Sequence, residues 1–142
     1  MQKKQIMYKI FFFVYLVLLV WIVLFKMNFS LADIYPVRAI NYIPFYYDVT
    51  EGDVPVYEFA LNAVLFIPLG FLLAKAFRTL MFGEGVATIF ATSLAFEVMQ
   101  YISSVGVSDI TDLIMNTLGG AIGIWLAYVI HGRRKPKRIK RP

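Results

Sequence analysis

The sequence has no cysteine and a single histidine, His131, in 142 residues. The first absence excludes thiolate nucleophiles, iron–sulfur clusters, cysteine-ligated zinc and disulfides, and the second excludes a multi-histidine metal site. Charge is scarce as well: Asp, Glu, Lys and Arg make up 16% of the chain, against about 25% in soluble domains. Any chemistry must come from carboxylates, amides and hydroxyls. In place of charge, 60% of the residues are hydrophobic and the mean hydropathy is +0.69, the profile of a membrane protein. A chain of this length holds roughly four or five spans of about 20 residues and no separate soluble catalytic domain.

Charge divides the apolar sequence into four stretches, residues 10–26, 58–77, 85–104 and 111–130. Each can cross a hydrocarbon core of about 30 Å at 1.5 Å per residue. The expected architecture is an all-α membrane protein, a bundle of four transmembrane helices forming one domain over residues 1–131, followed by a basic tail over residues 132–142. One long connection separates the first two spans and short ones separate the rest, so only the first loop is expected to carry structure. Basic residues gather on cytoplasmic flanks. Lys3, Lys4 and Lys9 precede the first span, Lys75 and Arg78 follow the second, and the other seven of this set lie in the tail, which places 12 of the 14 on one side of a four-span bundle. Lys26 and Arg38 fall on the other side, together with Asp33, Asp48, Glu51, Asp53, Glu58 and Asp109. Both termini are therefore expected in the cytoplasm and the long loop outside.

Ser30-Leu31-Ala32 resembles the small-x-small site of a secretory signal. The apolar run before it exceeds an h-region and Lys26 and Asn28 intervene, so a retained first span is the expectation. Most of the nine tyrosines fall near span ends, where an amphipathic ring belongs to the headgroup belt. The cluster Tyr42, Phe45, Tyr46 and Tyr47 would lay the long loop on the membrane.

An ionisable group in hydrocarbon costs several kcal/mol and so requires a partner, a wet cavity or a function. The fourth span carries Asp109, Asp112, Asn116, Gly119, Gly120 and Gly123 in DITDLIMNTLGGAIG. Asp112, Asn116 and Gly120 follow one another at i,i+4, and Gly119 and Gly123 form a small-xxx-small pair on the same face. The third span contributes Glu97 and Gln100, and the second contributes Glu58 and Asn62 at its outer end. Counted along their helices, these groups share one depth in the outer half of the bilayer. They are expected to line an acidic pocket of Glu58, Asn62, Glu97, Gln100, Asp109, Asp112 and Asn116, suited to a divalent cation or a polar headgroup. Each has a plainer reading: Asp109 or Thr111 as a helix cap, Glu58 as an acid at a helix start, and Gly119, Gly120 and Gly123 as a packing groove. Pro68 with Gly70 predicts a static kink in the second span. The tail RRKPKRIKRP is explained by orientation and by anionic inner-leaflet lipid, with no nucleic-acid partner expected. His131 is expected to be a spectator.

These motifs carry a resemblance. NYIPF (Asn41 to Phe45), EFALNAVLFIPLGFLLA (Glu58 to Ala74), FEVMQ (Phe96 to Gln100) and DITDLIMNTLGGAIG (Asp109 to Gly123), in this order, resemble the VanZ-like family of bacterial polytopic membrane proteins. The family's pattern matches at Glu58, Asn62, Pro68, Gly70, Glu97, Gln100, Asp109, Asp112, Asn116, Gly119 and Gly120. Two departures stand out: family members often carry an Arg shortly before the first Asp, absent from Ser104 to Ser108 here, and an acid where this chain has Thr111. The resemblance implies a multi-pass protein of the bacterial plasma membrane with a cell-envelope role, linked through the founding member to resistance to teicoplanin-type glycopeptides.

The leading expectation is thus an envelope protein whose acidic outer pocket binds a cation, a lipid-linked envelope precursor or a glycopeptide group. The alternative is an intramembrane hydrolase, metal- or carboxylate-dependent, acting on lipid-linked substrates. A partner-binding module docking through the glycine groove and an ion-coupled transporter are further readings. No internal repeat supports the last, although a homo-oligomer could supply one.

Overall fold

The computed structural model describes residues 2–25, 37–46, 56–103 and 105–131. The basic tail, Ser30-Leu31-Ala32 and Tyr47 lie outside the described residues. Four helices, α1 (Gln2–Phe25), α2 (Val56–Ala76), α3 (Phe82–Ser103) and α4 (Ile110–His131), are each long and apolar enough to cross a membrane. They match the four stretches read from the sequence. Helix α1 begins eight residues before its apolar run, because Gln2, Lys3, Lys4 and Gln5 are good helix formers and can stay in the headgroup region. The start of α3 is set by Glu84, whose Oε2 accepts the Met81 N–H at 2.7 Å, a reach-back contact typical of helix N-termini.

The short connection between α3 and α4 corrects the expectation that only the long loop carries structure. Val105–Asp109 forms strand β2, which pairs in parallel with β1 (Val37–Asn41) from the long loop. The register runs from Val37↔Val105 to Asn41↔Asp109. Extended backbone near a membrane must have its N–H and C=O groups paired, and each strand supplies what the other needs. Parallel strands require a crossover connection, provided here by α2 and α3 together.

The pairing brings the α1–α2 and α3–α4 connections to one end of the bundle. The α2–α3 turn, closed by Leu80 N–H donating to Phe77 O at 3.1 Å, sits at the other end. The described termini are at that turn end: Gln5 Nε2 donates to Ala76 O at 3.3 Å, and Tyr128 OH donates to Leu80 O at 2.9 Å. Two distinct ends result, a sheet end and a turn end.

Helices α2 and α4 form the tightest pair, and glycine is the reason. A Cβ on Gly119 would overlap the Ala63 carbonyl oxygen, one on Gly123 the Ile67 carbonyl oxygen, and one on Gly70 the Gly120 carbonyl oxygen. Gly120 also admits Ile89 of α3, whose Cγ1 would stand 2.8 Å from an added Cβ. Close backbone approach is how membrane helices gain packing without a hydrophobic driving force. The groove is therefore filled by α2 and α3 of the same chain, which overturns its reading as a face for a partner. Gly70 lies in this contact, and α2 continues as helix through Pro68 and Gly70. Phe66, Leu69, Ile89, Phe96 and Ile124 fill the centre, with the Phe66 and Phe96 rings edge to face at 6.0 Å. Helix α1 is peripheral, docked through Phe12 on Phe77 at 5.7 Å and through Tyr15 OH on Leu65 O at 2.8 Å.

Candidate functional site

Two chain features build the site at the sheet end. The C-terminal half of α3 presents Leu94, Glu97, Val98 and Tyr101 at helical spacing on one face, and β2 returns beside it. Glu97 is 7% exposed. Its Oε2 accepts the Asp109 N–H at 2.9 Å, and its main-chain carbonyl accepts Ser108 Oγ–H at 2.8 Å. Asp109 divides its carboxylate between two donors: Oδ1 takes the Thr111 N–H at 2.6 Å and Oδ2 takes Asn41 Nδ2 at 3.0 Å. The first bond caps α4, as the plainer reading of Asp109 expected. The second ties β1 to β2 at the last pair of the register.

The chain after β1 is anchored in the same way. Asn41 Oδ1 accepts Ile43 N–H at 3.2 Å, an Asx turn. Thr111 Oγ1, fully buried, accepts Phe45 N–H at 2.9 Å. Phe45 has φ of 57°, a left-handed conformation costing a bulky residue about 1–2 kcal/mol. The Thr111 bond and the edge-to-face contact of Phe45 with Phe59 at 5.8 Å hold it there.

These elements enclose a pocket of about 290 Å³ lined by Ile40, Asn41, Tyr42, Leu94, Glu97, Val98, Tyr101, Ser108, Asp109, Ile110 and Leu113. Its walls are mainly apolar and its polar groups are few and grouped, the make-up of a small-molecule site. Tyr42, Ile40, Val98, Leu94 and Tyr101 are all exposed, so the pocket opens to the surface.

The seven residues read as one acidic pocket are distributed among several contacts. Glu97 and Asp109 share the pocket. Asn62 Nδ2 donates to Asp112 Oδ1, a polar tie between α2 and α4 just above the glycine contact. Asn116 Nδ2 donates to Ser93 Oγ at 2.9 Å, joining α4 to α3. Gln100 Nε2 donates to Val23 O at 3.1 Å, joining α3 to the end of α1. Glu58 lies in the first turn of α2 and accepts Tyr57 OH at 2.8 Å, as an acid at a helix start would. Among the described residues no group of three or more Asp, Glu, His or Cys side chains could hold a metal ion; the acids that line the pocket are Glu97 and Asp109. Asn41, Ser93, Ser108 and Thr111 complete the polar contacts. Asn41 stands in the NYIPF motif and Thr111 at the predicted cap, whereas Ser93 carries no sequence signal beyond its place one turn before Glu97.

The comparisons agree with this architecture. The VanZ/LLP1 family profile matches residues 12–131. Protein VanZ of Enterococcus faecium is 36% identical over 129 residues, covering 89% of this chain and 77% of that protein. No solved structure matches. With four helices able to span a bilayer, the chain belongs to the VanZ/LLP1 family of multi-pass bacterial membrane proteins.

Proposed function

We propose that this protein acts in the cell envelope by holding an amphipathic molecule in the pocket at the sheet end, an amine or other cationic headgroup against Glu97 and Asp109 and its chain along Leu94, Val98 and Tyr101. The observation that carries this reading is a pocket of about 290 Å³ whose exposed walls are apolar and whose lining includes the buried Glu97 and its neighbour Asp109. Both carboxylates accept N–H donors from the fold, which fixes their positions before a ligand arrives, and preorganised acceptors favour a cationic group. The sheet end is the outer one in this account, with both termini cytoplasmic, supported by the 12 of 14 basic residues assigned to the turn end.

Kinship with protein VanZ extends the proposal to glycopeptide action at the surface, teicoplanin in particular. Teicoplanin susceptibility of a sensitive host expressing the chain tests it. Val98→Trp adds bulk at an exposed wall position and should abolish protection at unchanged membrane abundance. Protection equal to the parent's in Val98→Trp and Leu94→Trp would sink the pocket.

A further inference from the structure

At the turn end, Lys75 is 3% exposed, although it sits in the last turn of a membrane-spanning helix. Its ammonium lies over two aromatic rings, 5.9 Å from the Tyr8 centroid and 5.4 Å from the Phe71 centroid. Lys9 of α1 lies 5.5 Å from the Phe77 ring at the same junction, and Arg78 follows in the α2–α3 turn, three residues after Lys75. Among the described residues no carboxylate answers these cations. Glu84, the acid of this end, is exposed and caps the start of α3.

The α2 C-terminal dipole favours a cation here, but it favours one and not three. Lys75 lies at the helix end with its stem buried, the arrangement by which lysine reaches a headgroup layer. Basic pockets between membrane helices recognise anionic lipid heads.

We infer that the α1–α2 junction is a binding site for the phosphate of an anionic phospholipid, with Lys75 as its anchor and Lys9 and Arg78 at its rim. It is separate from the pocket at the sheet end.

The test uses the full chain, purified in neutral detergent, with its unfolding midpoint followed against dioctanoyl phosphatidylglycerol, dioctanoyl phosphatidylcholine and inorganic phosphate. Phosphatidylglycerol should bind at least about tenfold more tightly than phosphatidylcholine, as charge-assisted contacts allow, and inorganic phosphate at matched concentration should have no effect. Lys75→Met should remove that tenfold preference, and the double change Arg133→Gln, Arg134→Gln in the tail should alter it less than about twofold. Arg78→Gln, expected to weaken binding about threefold to fivefold, keeps the site testable if Lys75→Met does not fold. Equal weakening by the Lys75 and tail variants would mean diffuse attraction and overturn the site. A response to inorganic phosphate as strong as that to lipid, or no preference for phosphatidylglycerol, would overturn the lipid assignment.

Discussion

Gly119→Ala tests the account of how the bundle is held. The added methyl overlaps the Ala63 carbonyl oxygen, and the next close approaches along the interface, Gly123 on Ile67 and Gly70 on Gly120, are also main-chain contacts. No rotamer change relieves a clash between a Cβ and a backbone carbonyl, so α2 and α4 must separate by roughly an ångström, enough to forfeit a quarter to a half of each contact's dispersion energy. Overpacking of this kind costs about 1–3 kcal/mol. The same separation pulls Asn62 from Asp112, a bond worth about 0.6–1.7 kcal/mol within a membrane, which gives about 2–5 kcal/mol in all. Gly83→Ala is the control: nothing lies within 4 Å of its added Cβ, and Ala is the better helix residue by about 0.5–1 kcal/mol. Unfolding in mixed micelles should show Gly119→Ala strongly destabilised and Gly83→Ala unchanged or stabilised. Equal stability of the two variants would refute the packing argument.

Three further outcomes are expected. Thr111→Val removes the acceptor for Phe45 N–H, at about 1–3 kcal/mol, and amide exchange at residues 43–46 should rise by at least about tenfold while α2 and α4 stay protected. A double-mutant cycle on Asn62→Leu and Asp112→Leu should give a coupling near 1 kcal/mol, and additive effects would deny the contact. Ser93→Ala should lower stability by about 1 kcal/mol through the lost donor–acceptor pair with Asn116, read in the same unfolding assay.

The four spans and the glycine stripe were legible because lipid imposes them: a spanning segment must be long, apolar and helical, and small residues at i,i+4 mark close approach. That Asn62 and Asp112 stand level with one another on their two helices was legible as well, since 1.5 Å per residue measures position along a helix. Which partner each would meet was not, because depth says nothing of a helix's rotation or of its neighbours. Gln100 turned to Val23 O, one of the last carbonyls of α1, which lack intrahelical donors. The β1–β2 pairing was hidden for another reason. VRAIN and VGVSD are short, and their pairing joins residues 68 apart, a contact no local pattern announces. Asn41, paired with Asp109 at the end of that ladder, was visible as a motif residue without a visible purpose.

Glu97 and Asp109 in the lining of an apolar pocket should select a cationic headgroup. Binding of dodecylammonium and of dodecanol to the purified chain isolates the charge at constant chain length. The account predicts at least about tenfold tighter binding of dodecylammonium, consistent with about 1.5–3 kcal/mol for a charge-assisted hydrogen bond. That preference should vanish in Glu97→Gln with Asp109→Asn, and both ligands should be lost in Val98→Trp. Equal affinity for the two head groups in the unmodified protein, or a preference that survives neutralising both acids, would contradict it.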